Sequence, residues 1–142
     1  MQGSRRKRPQ CSIWGRFDIS LGSGVVPALR DAVMSVLLVL TNLPDRGAAV
    51  ALARTLIERR LAACVNVLSE CTSLYRWQDK VEEAVEVPVL IKTSEAAYPD
   101  LERSIRELHP YELPEIVAVP LAQGLPDYLG WVLAETRPPQ SN

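Results

Sequence analysis

The chain lacks the residue patterns from which most catalytic and metal sites are built. It has one histidine, His109, and three cysteines, Cys11, Cys64 and Cys71, with no CxxC pair. An odd and scattered set of cysteines provides neither a disulfide framework nor a zinc knuckle. No GxSxG, HExxH or phosphate-binding glycine loop occurs. We therefore expect no enzyme, no catalytic residue and no organic cofactor.

Long apolar runs and a basic surface are also missing. Apolar runs such as Val36 to Leu40 are far shorter than the roughly 20 residues of a membrane span. Residues 1–33 hold six basic and two acidic side chains; since the total charge is −1, the remaining 109 residues carry −5. We expect neither a membrane nor a nucleic-acid partner for the folded part. Unpaired thiols favour a reducing, cytoplasmic compartment.

The first 33 residues differ in character from the rest. Ser4 to Arg8 begins as an export signal would, but the apolar stretch that a signal requires does not follow. Met34 opens the first strongly patterned segment. We expect residues 1–33 to be a poorly packed extension or a misread start, with Met34 as the true start. Residues 34–137 then form the domain and 138–142 a tail.

Hydrophobic periodicity predicts the order of the elements. The predicted strands are Val36–Leu40, an extended segment over Cys64–Trp77, a second around Val85–Ile91 after a turn at Gln78–Lys80, and Glu115–Pro120. Three helices are predicted. The first carries an apolar stripe formed by Ala49, Leu52, Ala53, Leu56, Ile57 and Leu61. The second runs from about Glu95 to His109, before Pro110, and the third from Asp127 to Glu135. This order is the ferredoxin-like split βαβ arrangement, βαββαβ plus a C-terminal helix, of the α+β class.

The predicted hairpin is too long for one small domain. Cys64 to Trp77 would extend for about 46 Å, whereas a compact domain of this size is about 34 Å across. Another copy of the chain covering the overhang is the simplest solution, since uncovered strand edges invite aggregation. Pro88 lies in what should be a central strand, and it predicts either a bulge or a change of pairing partner.

Several short strings, in register along the chain, resemble those of the CutA divalent-cation-tolerance family. The resemblance extends from about Ser35 to Arg137 and implies a homotrimer, similar in architecture to the PII signalling proteins. It also implies a role in the response to divalent metal ions. The strings are Leu61–Asn66, Ser73–Trp77, Leu90–Thr93, His109–Glu112, Pro114–Glu115 and Pro126–Trp131.

The resemblance implies one metal ligand. Copper binding in the family is linked to the histidine of the His-Pro-Tyr motif, which His109 matches. Cu(II) or another divalent cation is thus the expected cofactor. Leu40 and Leu108 stand where some members have further cysteine and histidine ligands. A soft-metal site needs several nitrogen or sulfur ligands, so a structural or cleft-lining histidine is the alternative interpretation.

The alternative function is a PII-like signalling module that binds a small ligand, such as an anion, in a cleft between subunits. Its candidate cleft residues are Tyr75, Trp77, Lys92, Glu112 and Tyr128. Interface packing is the simpler role for the two hairpin aromatics, Tyr75 and Trp77. Joint metal binding by Cys64 and Cys71 is not expected, because seven residues of strand separate them by about 23 Å on opposite faces. Glu82, Glu83 and Glu86 are expected to form a solvated acidic face.

Overall fold

The computed structural model describes residues 36–137, and their secondary structure follows the predicted order. The strands are β1 (Val36–Leu43), β2 (Cys64–Val67), β3 (Cys71–Trp77), β4 (Lys80–Ser94) and β5 (Val117–Pro120). The helices are α1 (Arg46–Glu58), α2 (Tyr98–Leu108) and α3 (Pro126–Glu135). The predictions for residues 1–33, for Met34 and for the tail 138–142 fall outside the described residues. Within 36–137, no helix has the length and apolar character needed to cross a membrane.

The sheet has the order β2-β4-β1-β5, and every neighbouring pair is antiparallel. The helix α1 connects β1 to β2, and these two strands lie on either side of β4. In the same way, α2 connects β4 to β5, and these two strands lie on either side of β1. Two interleaved split βαβ units of this kind define the ferredoxin-like fold. The predicted fold class is therefore confirmed.

β4 changes partner at Pro88. Its first part, up to Glu86, pairs with β3, and its later part pairs with β2. The Pro88 carbonyl accepts a hydrogen bond from the Leu68 amide at 2.9 Å. Because the N–H and C=O groups of a strand residue point the same way, the missing N–H of Pro88 faces the β2–β3 connection and not β1. The predicted change of partner is confirmed, but the single extended segment predicted over residues 64–77 is wrong, since residues 68–70 interrupt it.

The β3–β4 hairpin closes through a two-residue turn. Trp77 pairs with Lys80, and the intervening Gln78 and Asp79 have φ of 48° and 63°. Two successive residues with positive φ are the requirement of a type I′ turn, whose twist matches that of the strands it joins. The turn predicted at residues 78–80 is confirmed.

α1 begins and ends with local signals. Its N-cap, Asp45, accepts a hydrogen bond from the Ala48 amide at 2.8 Å, which satisfies one of the free donors of the first turn. Arg60 lies just beyond the helix with φ of 58°, and the Leu61 amide returns to the Leu56 carbonyl at 3.0 Å. This left-handed residue ends the helix, so Leu61 lies outside the helix that the predicted stripe included.

The two faces of the sheet are covered unequally. The face that carries Val39 and Leu43 packs under α1 and α2 and forms the main core. On the other face, α3 places Leu129 and Val132 against Val36 and forms a second, smaller cluster. The rest of that face, including Leu38, Leu40 and Leu90 of the central strands, remains only half-buried.

Candidate functional site

His109 ends α2 and lies almost completely buried, with 8% of its surface exposed. One ring nitrogen, Nε2, lies 2.7 Å from the backbone carbonyl oxygen of Asn42, and the other, Nδ1, lies 3.1 Å from the Tyr111 amide. A carbonyl can only accept and a backbone amide can only donate, so Nε2 carries the proton and Nδ1 accepts. Both nitrogens are therefore engaged, and a metal ion at either one would have to displace a hydrogen bond.

Tyr111 lies next to this histidine and next to a buried carboxylate. Its ring centre is 4.9 Å from that of His109. Partial burial raises the pKa of the Tyr111 phenol, and the charge and hydrogen bond of the Glu86 carboxylate raise it further, with smaller contributions from Tyr75 and Asp45. A phenol and a carboxylate in contact near an imidazole form a compact polar cluster at the base of the hairpin.

The prediction of a solvated acidic face is wrong for Glu86. Glu82 and Glu83 are exposed as expected, but Glu86 is only 8% exposed. It lies where β4 leaves the hairpin and enters the sheet, and the Tyr111 hydroxyl binds its carboxylate. No sequence signal indicates this burial, because Glu86 follows two other acidic residues and resembles part of a solvated run. Its partner Tyr111 does belong to the His-Pro-Tyr string, but nothing in the sequence connects the two residues.

Asn42 links two of the family-like strings. Its carbonyl accepts from His109, and its side-chain amide donates to Glu115 Oε2 at 2.5 Å. The end of β1 is thereby tied both to the end of α2 and to the segment that leads into β5. No sequence pattern marks Asn42 for this role, since its partners lie 67 and 73 residues away.

Lys92 lies on the half-covered face of the sheet, at the end of β4's pairing with β2. Its ammonium group donates to Asn66 Oδ1 and lies 3.8 Å from Cys64 Sγ. Both partners belong to β2, and Cys64 is the residue directly opposite Lys92 in the register. The candidate anion-binding lysine is thus held by neighbours of its own chain.

The remaining predicted cleft residues are spread over the molecule. Tyr75 and Trp77 share one face of the hairpin, opposite Arg76, as predicted, and both are 45% exposed. Glu112 lines a shallow groove with residues of α2. Tyr128, on α3, has its ring centre 5.7 Å from that of Trp131.

One chain does not bring all of these residues together. Trp77 lies opposite Lys80, and Lys92 is twelve residues further along the same continuous strand. At about 3.3 Å per residue the two are separated by about 40 Å. A cleft containing both therefore requires residues from more than one copy of the chain, and their joint site remains a prediction.

Cys64 and Cys71 are free thiols, and both are half-buried. On β4, Cys64 lies opposite Lys92 and Cys71 lies opposite Glu86. Because these two β4 positions are an even number of residues apart, they lie on one face of the strand, and the break between β2 and β3 brings both cysteines to that face. The predicted opposite orientation is wrong for that reason. Six residues of β4 still keep the two positions about 20 Å apart. Within residues 36–137, no three His, Cys, Asp or Glu side chains converge closely enough to hold a metal ion.

Comparison with known proteins agrees with this architecture. Residues 37–135 match the model of a family described as CutA1 divalent ion tolerance protein. The chain belongs to the CutA1 family. It is 46% identical over 98 residues to the divalent-cation tolerance protein CutA of Thermus thermophilus, covering 69% of this chain and 95% of that one. It is 43% identical over 111 residues to Protein CutA of Mus musculus, covering 78% of this chain but only 59% of the mouse protein.

Solved CutA structures have the same fold. The divalent cation tolerance protein of Thermus thermophilus superposes with a TM-score of 0.71 at 44% identity, covering 72% of this chain and 99% of that one. A protein from Archaeoglobus fulgidus named periplasmic divalent cation tolerance protein CutA gives a TM-score of 0.70 at 28% identity, with coverage of 72% and 99%. The family predicted from the motif strings is confirmed.

Proposed function

We propose that this CutA-family chain acts as a homotrimer in the response to divalent metal ions, and that any metal site is completed between copies. The family supports the metal role through the names of its members, which refer to divalent-cation tolerance. The single structural observation that supports an inter-subunit site is the large apolar surface that one chain leaves open.

The hairpin provides the first part of that surface. The first seven residues of β4 pair only with β3. Leu74, Val81 and Val85 lie on one face of this hairpin with 68%, 69% and 58% of their surfaces exposed, and Tyr75 and Trp77 lie on the other. A two-stranded ribbon with apolar side chains on both faces is marginal in water unless a further surface covers it.

The edge of the sheet provides the second part. β5 pairs with β1 on one side only, and all four of its residues are exposed, including Val117 and Val119. This edge adjoins the half-covered face of the sheet described above. An open edge beside an apolar face is a favourable docking site for the hairpin of another copy.

The proposed metal site depends on His109 because it is the only imidazole in the chain. One imidazole is too few for a soft divalent ion. Threefold repetition supplies three, or one imidazole can join ligands from a neighbouring hairpin. Cu(II) is the ion to test, because imidazole nitrogen binds copper most strongly among the common divalent metals.

A second candidate, a PII-like module that binds a small ligand between subunits, is favoured by the hydrogen bonds of His109. Because both ring nitrogens are already engaged, the histidine can position Tyr111 beside Glu86 without binding metal. The polar cluster would then face a small organic ligand across the subunit boundary.

Calorimetric titration with Cu(II) separates the two functions. The metal proposal predicts that wild type binds Cu(II) and that His109→Ala abolishes the binding, while the neighbouring control Leu108→Ala retains it. Equal copper binding by wild type and His109→Ala would remove the specific site. If the wild-type protein shows binding heat with nucleotides or small anions but none with Cu(II), the signalling module is favoured. Thermal unfolding of each variant checks that the fold survives.

Further proposals concern the protein's surroundings. We assign it no catalytic activity, no nucleic-acid partner and no membrane partner, and we place it in the cytoplasm, where free thiols such as Cys64 and Cys71 persist. Fractionation of the native cells tests the compartment, since recovery with periplasmic markers would contradict it.

A further inference from the structure

Cys64 and Lys92 form a thiol–amine pair across two strands. They are directly opposite each other in the antiparallel register of β2 and β4. The sulfur and the ammonium nitrogen are 3.8 Å apart, and a hydrogen bond to Asn66 Oδ1 holds the nitrogen on this side of the strand. The backbone ladder therefore keeps the two groups adjacent.

The other thiol among the described residues lies far from this sulfur. Cys71 is the other thiol among residues 36–137, and its position on β4 is about 20 Å from that of Cys64. In the same part of the chain, Lys92 takes no part in an ion pair with a carboxylate. An oxidised Cys64 therefore meets the lysine nitrogen before it meets a second thiol of its own domain.

We propose that Cys64 and Lys92 form a reversible sulfur–nitrogen bond when the protein meets hydrogen peroxide. Peroxide first oxidises the Cys64 thiol to a sulfenic acid and is itself reduced to water. The lone pair of the unprotonated Lys92 nitrogen then attacks the sulfur. The S–O bond breaks, the oxygen leaves as water with a proton from the amine, and a sulfenamide S–N bond remains. In total the two side chains lose two hydrogen atoms, and one peroxide becomes two waters.

The bond would link the edge strand β2 covalently to the central strand β4. The flexible four-carbon stem of lysine allows the nitrogen to close the remaining distance, and loss of the Asn66 hydrogen bond accompanies the closure. A first thiol that attacks the sulfur would release the Lys92 amine and leave a mixed disulfide on Cys64, and a second thiol would then release the Cys64 thiol as the reductant forms its own disulfide. This redox response is independent of metal binding by His109.

Mass spectrometry of the full-length protein tests the proposal. The native assembly is treated with stoichiometric hydrogen peroxide at mildly alkaline pH, digested without reductant and compared with a dithiothreitol-treated half. We expect a peptide pair joined through residues 64 and 92, a loss of two hydrogens per chain in the intact mass, and recovery of the original mass with dithiothreitol.

Two variants make the result specific. Lys92→Arg keeps the positive charge but offers a guanidinium that stays protonated, so it should lose the link. Cys71→Ser should retain it. The proposal is overturned if Cys64 oxidises to sulfinic acid or pairs with Cys11 without a 64–92 peptide, if Cys64 does not react, or if the same mass loss persists in Lys92→Arg. Circular dichroism confirms that each variant is folded.

Discussion

At the scale of single residues, two buried threonines on adjacent strands differ in hydrogen bonding. Thr93 Oγ1 donates to the Leu61 carbonyl at 2.6 Å, whereas the buried hydroxyl of Thr41 has no hydrogen-bond partner among the described residues. A buried hydroxyl without a partner costs free energy. We expect Thr41→Val to raise the free energy of unfolding by about 1 kcal/mol and Thr93→Val to lower it by a similar amount. Denaturant titration measures both, and the opposite order would refute this account of the core.

Tyr111 reports the charge of the polar cluster. Burial first, and then the Glu86 carboxylate, raise the pKa of its phenol above the ordinary value near 10. Its contribution to stability is therefore complete below about pH 10 and is lost as the pH rises through the folded-state pKa. We expect Glu86→Gln to lower the pKa of Tyr111. Ultraviolet absorbance during a pH titration measures it, with Tyr111→Phe identifying the signal. An unchanged pKa of Tyr111 in Glu86→Gln would contradict the contact between these two side chains.

At the scale of elements, the hairpin turn has residues that fit its backbone poorly. Asp79 has φ of 63°, a region that glycine adopts without the steric cost paid by other residues. We expect Asp79→Gly to raise the free energy of unfolding by about 1 kcal/mol, measured by thermal unfolding. The β-branched control Asp79→Val should lower it. If both substitutions destabilise equally, the turn is not of the type described.

The presence of the helices could be predicted from the sequence because their signals are local, although the stripe of α1 ran past the end of that helix to Leu61. The stripe of α1 and the stop of α2 before Pro110 both lie within a few residues of what they determine. The break between β2 and β3 could not, because it depends on which part of β4 each strand meets. Pro88 was the one local sign of it.

The residues of the candidate site were predictable only in part, because the sequence marks His109 but not Asn42 or Glu86. His109 was found because it is the only histidine. Its protonated nitrogen is set by the Asn42 carbonyl, which only the fold brings near. The burial of Glu86 likewise depends on the segment after α2, whose Tyr111 binds the carboxylate. Charge patterns within β4 carry no information about that contact.

At the scale of the whole molecule, the exposed apolar face of the hairpin should control assembly. Leu74 and Val81 are among its most exposed side chains. In the proposed trimer a lysine there places a charge in the interface between copies, so we expect Val81→Lys combined with Leu74→Lys to dissociate that assembly. Ile57→Lys is the matched control, because Ile57 is an exposed apolar residue on α1, outside the proposed interface. Light scattering measures the assemblies, and equal effects of the two changes would argue against hairpin docking.

The central claim is that one copy of the chain leaves its functional site incomplete. Sedimentation velocity of the wild-type protein at micromolar concentration tests it most directly, with the mass of the denatured chain measured on the same sample. The account predicts a single species of three times the chain mass. A stable species of one chain mass, near 15.7 kDa for the full sequence, would contradict it.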